Sequence, residues 1–311
     1  MDDIDFGVYL VPEGNSYSTL KEEALLSDEI GFHSIWISDH LIGMYGDPSA
    51  PRLECWTTST ALGAVTDRVN IGQITMAAPF RNPALLAKMG ATLDVITDGR
   101  LILSLGAGWH EGEFNAYGYR YGTWKDRIGR LSEAAEIIKR MWTEEAPTHR
   151  GEYYQIEEAY CNPKPVQKPH PRLMIAGGGE RLTLRTVAEH GDISNFAPWT
   201  GTPAQFREKS EILDRHCIDV ERDPKDVRRS WAAFIFISTE QEKAEDAANR
   251  TYKRYGREPS NLGLIGTPER IVEQIWSYIE VGVSLFILSF LGGNWRREAE
   301  LFSSRVIPEF T

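Results

Sequence analysis

Apolar residues alternate with polar ones at Ile4, Phe6, Val8 and Leu10, which predicts a first strand with one face turned to a core. Ser34–Ile37 reads as a second strand, and Val69–Met76, Leu101–Leu105 and Arg172–Ile175 as the third to fifth. Asp192–Phe196, Trp231–Ile237 and Leu285–Ser289 complete a set of eight. Between most of them the period changes from two to that of a helix. After Pro83, Leu85, Leu86, Met89, Leu93 and Ile96 make an apolar stripe, and Thr97-Asp98-Gly99 turns the chain into strand four. Trp124–Trp142 reads as one long helix. Thr267-Pro268-Glu269 supplies an N-cap, a first-position proline and an acid, and Ile271, Ile275 and Ile279, with Val272 and Trp276, then line a helix face up to Gly282.

Strands alternating with helical segments imply a parallel sheet with crossover helices, and eight repeats favour closure into a barrel. The expected fold is therefore a (β/α)8 TIM barrel with an insertion between strands four and five, where about 65 residues intervene by the spacing of such units. Pro147–Pro171 must be loop or a small inserted unit. No Gly/Ser-rich linker divides the chain, so residues 1–311 are expected to form a single domain.

In such a barrel, chemistry sits at the C-terminal ends of the strands. Strand two leads into Ser38-Asp39-His40, strand three into 73–82, strand four into Gly106-Ala107-Gly108-Trp109-His110-Glu111, and strand five into Ala176-Gly177-Gly178-Gly179-Glu180. Strand six leads into Ala197-Pro198-Trp199. Three glycines before a helix free the backbone to approach a phosphate, with Arg181 and Arg185 one turn apart beyond them; the same run would also serve as a tight strand-to-helix turn. There is no GxxxxGK[ST] motif, and a dinucleotide fingerprint would belong in the first unit of an open sheet. Gly106 and Gly108 let backbone meet a planar ligand, with Trp109 as an apolar wall. Histidine is the side chain suited to proton exchange near neutral pH, which makes His40 and His110 proton-exchange candidates. Asp39, His40, Glu54, His110 and Glu111 match no metal-ligand spacing, so no metal is expected.

Composition narrows the partners. Hydrophobic residues make up 41% and charged residues 25%, ordinary for a globular protein, and the formal charge of −11 disfavours nucleic acid and anionic membrane. Cys55, Cys161 and Cys217 are widely spaced and odd in number, which speaks against a disulfide framework. The acidic start MDDIDFGVYL is not a signal peptide, and no apolar run nears the roughly 20 residues of a membrane span. A cytoplasmic location is expected, with a small molecule as substrate.

The segments Ile37-Ser38-Asp39-His40, Phe80-Arg81-Asn82-Pro83-Ala84-Leu85-Leu86-Ala87-Lys88, Asp98-Gly99-Arg100-Leu101 and Leu105–Phe114 resemble the luciferase-like monooxygenase superfamily. More narrowly, they resemble its branch using the deazaflavin coenzyme F420. Gly177–Glu180 with Thr183-Leu184-Arg185, and Gly266–Glu269, fit the same pattern, so the resemblance spans nearly the whole chain. It implies a ring lying across the barrel mouth at the ends of strands three and four, over a non-prolyl cis peptide aligned at Gln73–Ile74. It also implies backbone contacts from Ala107 and Gly108, and a phosphate held by Gly177, Gly178 and Gly179. His40 matches a position bordering the reacting centre, with His110 and Glu54 as further catalytic candidates. The implied activity is hydride transfer between reduced F420 and a small organic substrate, in a homodimer. FMN-dependent monooxygenation on the same fold is the alternative, and a flavin- or deazaflavin-binding protein without turnover is the alternative from another class. The loops at Gly43–Leu53, Trp109–Trp124 and Trp199–Pro203 carry no code for the substrate.

Overall fold

The computed structural model describes residues 3–44, 47–254 and 263–310. Numbering only the barrel strands, β1 is Asp5–Tyr9, β2 Ser34–Ile37, β3 Asn70–Gln73 and β4 Leu101–Gly106. β5 is Arg172–Ala176, β6 Ile193–Phe196, β7 Arg228–Ile237 and β8 Val283–Phe290. Each is parallel to its neighbours, and β8 pairs with both β7 and β1, so the sheet closes into the expected (β/α)8 barrel. All eight strands fall where the alternation places them.

The barrel interior is filled by alternate residues of the strands. Trp36, Ile102, Met174, Ile193, Leu285 and Ile287 form a cluster separate from the larger core between strands and helices, to which the intervening Ile35, Ile37, Leu101 and Leu103 belong. Trp36 is wholly buried and makes its neighbours small. A Cβ on Gly72 of β3 would stand 2.3 Å from the indole, and one on Gly7 of β1 2.4 Å from its Nε1. Two glycines flanking one tryptophan therefore close the middle of the barrel.

The helices follow their caps. α1 (Tyr17–Glu29) starts at Ser16, α2 (Cys55–Gly63) at Glu54 and α3 (Pro83–Ile96) at Asn82, each side chain accepting backbone N–H bonds. Asp98 and Gly99 both take positive φ in the turn into β4. The α3 stripe differs from expectation: Leu86, Ala87, Gly90, Ala91 and Leu93 are buried, whereas Leu85 and Ile96 lie on the exposed flank. Small residues carry the helix close to the sheet, so the buried face is rotated away from the largest side chains.

The insertion between β4 and β5 holds α4 (Glu111–Ala116), the long α5 (Trp124–Thr143) and a hairpin pairing His149–Arg150 with Gln155–Ile156. Helices α6 (Thr183–His190) and α7 (Pro203–Asp219) precede β7, and α8 (Gln241–Arg254) follows it. A short strand, Gly263–Gly266, then pairs beside the C-terminal half of β7, an element the sequence pattern did not indicate. α9 (Pro268–Ile279) follows it; Thr267 precedes the helix but its side chain makes no cap bond, and Trp276 lies partly exposed. No helix among the described residues is long and apolar enough to cross a membrane.

Candidate active site

At the end of β3 the strand gains a residue. Ile71 pairs with Leu101 and Met76 with Leu105, so five steps on one strand face four on the other. Such a bulge re-aims side chains, and Ile74 and Thr75 turn into a cavity of about 620 Å³ at the C-terminal ends of the strands. The non-prolyl cis peptide is Ile74–Thr75, one residue beyond the expected Gln73–Ile74. The reason is register: Gln73 still pairs with Ile37, and the Ile74 amide still donates to the Ile37 carbonyl at 2.8 Å, so the ladder ends only after Ile74. Gln73 is buried within β3 and does not line the cavity.

β2 delivers Asp39 and His40 to the same rim, and their side chains part company. Nδ1 of His40 lies 3.0 Å from Oε2 of Glu113 on α4, and the other oxygen of that carboxylate accepts the Leu41 amide. Glu113 is 2% exposed. Burial raises its pKa, but the His40 bond and the backbone amides outweigh it and hold the carboxyl below its ordinary value. An ionised carboxylate can only accept, so in this contact Nδ1 of His40 donates to Glu113 and Nε2 stays outside it. Arg52 fixes the backbone beneath: its Nε donates to the His40 carbonyl at 3.1 Å, and its guanidinium also meets Ser38 and Glu13.

Asp39 is engaged elsewhere. Arg81 grips it with two bonds of 2.7 and 2.9 Å, and the Ala77 amide donates to it at 2.9 Å. Burial, the largest influence on Asp39, pushes its carboxyl up against the pull of Arg81. Arg81 also meets Glu54 at 2.6 Å, and Glu54 caps α2 through the Trp56 and Thr57 amides. Both oxygens of Glu54 are thus occupied, and the residue does not line the cavity. His110 is likewise outside the lining; its Nδ1 accepts the Glu113 amide at 3.0 Å as the cap of α4. Of the three catalytic candidates, the structure brings only His40 to the cavity. Glu113 escaped the sequence reading because it stands 73 positions from His40; its place three residues after His110, on the first turn of a helix at a strand mouth, was the available signal.

The glycines are placed by close approach. Gly108 takes φ +74, and a Cβ there would stand 2.7 Å from the Phe114 ring, which packs on Phe80 at 4.8 Å. Trp109, 64% exposed, makes a T-shaped contact with His40, ring centroids 5.7 Å apart. The Trp199 side chain, just beyond β6, lies outside the described residues.

Across the mouth, Gly177 takes φ +132 and donates to the Asn195 carbonyl, and a Cβ on Gly177 or Gly179 would strike Thr183 at 2.9 or 2.8 Å. A Cβ on Gly178 would meet only the edge of Phe196 at 3.9 Å, so that position opens on the cavity. Beyond the loop, α6 begins at Thr183. A glycine loop followed by a helix N-terminus is the kind of arrangement that can accept an anion. The arginines expected to supplement it do not line the cavity, and Arg185 is paired with Glu189 at 2.6 Å on its own helix.

A family model described as luciferase-like monooxygenase matches residues 4–262. A protein of Kineococcus radiotolerans named F420-dependent glucose-6-phosphate dehydrogenase is 37% identical over 315 residues, covering 93% of this chain and 92% of its own. An FMNH(2)-dependent dimethylsulfone monooxygenase of Pseudomonas putida is 27% identical, covering 82% and 78%. The solved structure of an F420-dependent secondary alcohol dehydrogenase, in complex with an F420-acetone adduct, superposes with a TM-score of 0.88 over 99% of both chains at 19% identity.

Proposed function

Because the chain belongs to the luciferase-like monooxygenase family, we propose that it is an oxidoreductase using coenzyme F420 on a small organic substrate, with His40 exchanging the substrate proton. The observation that carries this reading is the pairing of one histidine base with one open glycine cradle across a single cavity. The loop suits a cofactor phosphate: Gly178 leaves room where any side chain would intrude, and α6 begins at Thr183, shortly beyond Gly179. Gly106, Ala107 and Gly108 offer backbone to a flat ring, and the bulge residues Ile74 and Thr75 line the side facing it. When bound, a deazaflavin supplies two-electron hydride chemistry.

The chain's own residues do the rest. Glu113 holds His40 in one tautomer, so Nε2 is free to take or return a proton at the substrate oxygen. Phe114 and Phe80 back the Gly106–Trp109 segment, and Arg52 holds the His40 backbone in place. A second reading, FMN with oxygen, is favoured by one observation. Among the described residues no Lys or Arg lines the cavity, and FMN lacks the anionic glutamate tail of F420. Fluorescence titration of the protein with F420 and with FMN separates the two. Saturable F420 binding is expected, and tight binding of FMN alone overturns the F420 reading.

A further inference from the structure

We propose that the cavity beside His40 takes an uncharged, largely apolar alcohol or carbonyl compound, with Trp109 as its wall, and not a sugar phosphate. This rests on the oxidoreductase reading above and concerns only what stands opposite the cofactor.

The ionisable side chains lining the cavity among the described residues are Asp39, His40 and Glu113. Two are carboxyls, and Glu113 is held in its ionised form. Three arginines that hydrogen-bond to these segments are already engaged. Arg81 serves Asp39 and Glu54, and Arg52 serves Glu13, Ser38 and the His40 carbonyl. Arg127 donates to the Gly108 carbonyl at 3.2 Å and the Gly122 carbonyl at 3.0 Å, with its guanidinium 3.8 Å over the Tyr121 ring. A phosphate dianion bound beside Glu113 would lose its hydration and gain no cation from the described residues that line the cavity. The glycine cradle cannot serve it, because the cofactor phosphate occupies that place in the reading adopted here.

Ile74, Ala77, Phe80, Trp109, Pro198 and Ala232 line the cavity with carbon. Trp109 leaves 64% of its surface exposed while making a T-shaped contact with His40. An indole left open beside the catalytic imidazole is an apolar contact surface lacking its partner. A compact apolar substrate would cover it while presenting one oxygen to Nε2 of His40. Oxidation then moves the hydroxyl proton to Nε2 and the carbon-bound hydrogen, with its electron pair, to oxidised deazaflavin, leaving a C=O bond. The reverse direction uses reduced deazaflavin and returns the same proton.

The test is isothermal calorimetry on the F420-loaded protein with cyclohexanol and with glucose 6-phosphate, beside cofactor fluorescence as a control for loading. Cyclohexanol is expected to bind saturably, at least tenfold tighter than glucose 6-phosphate, and Trp109→Ala to weaken it at least fivefold. Equal or tighter binding of glucose 6-phosphate overturns the inference, as does failure of cyclohexanol to bind a loaded protein. Failure to load F420 at all instead overturns the oxidoreductase reading on which it stands.

Discussion

The imidazole of His40 and the carboxylate of Glu113 meet at 3.0 Å across 73 residues of chain, one from the end of β2 and the other from the first turn of α4. Their contact joins the only sequence-predicted catalytic residue that reaches the cavity to a buried anion that fixes its tautomer. Glu113→Gln keeps the shape and removes the charge. It is expected to lower kcat by about tenfold to a hundredfold, with His40→Ala lowering it by about a hundredfold or more. The pH profile of kcat for Glu113→Gln should lose its neutral-range base limb or shift it. An unchanged profile and rate would show the contact to be structural only.

The same carboxylate sets an acid dependence of stability. Its folded pKa is depressed, so its contribution is present above the unfolded value near ~4.3 and is lost as pH falls through the lower folded value. Wild-type melting temperature should therefore drop through that acid window more steeply than that of Glu113→Gln. Parallel curves for the two proteins would contradict the assignment.

Glu54 provides a contrast. As the cap of α2 and a partner of Arg81, it should matter to stability and not to chemistry. Glu54→Ala is expected to cost about 0.5–2 kcal/mol in urea unfolding and to leave kcat within about twofold. Loss of turnover with unchanged stability would return Glu54 to the catalytic candidates.

Trp36 predicts the behaviour of its flanking glycines. Gly72→Ala places a methyl 2.3 Å from the indole, which should destabilise the barrel by about 1–3 kcal/mol or more. Trp36→Phe in the same background should recover part of that loss by making room. A thermal melt of the pair checks it, and a fully stable Gly72→Ala would show that the barrel interior is not packed as described.

Much of the frame was legible in the chain. Short apolar runs such as Leu101–Leu105 located the barrel strands, because strands buried on both faces leave a nearly unbroken apolar signal. The bulge after β3 was not legible: nothing in Gln73-Ile74-Thr75 distinguishes a ladder ending at Gln73 from one ending a residue later. The strand Gly263–Gly266 is too short and glycine-rich to register beside the stronger helix signal of Thr267-Pro268-Glu269. The site was half legible. Gly177–Gly179 and His40 announce themselves by residue type at strand mouths. The partners of His40, Asp39 and Glu54 do not, because Glu113 and Arg81 are ordinary surface residue types whose burial is decided by how α4 and the β3–α3 segment pack.

The central claim is that the cavity between His40 and the Gly177–Gly179 loop holds the deazaflavin. Fluorescence titration of wild type and Gly178→Val with oxidised F420 tests it most directly, since the new side chain enters the cradle and meets little of the protein. The account predicts saturable binding by wild type and at least tenfold weaker binding by a folded Gly178→Val. Equal affinity in the two proteins, with the variant melting as wild type does, would contradict it.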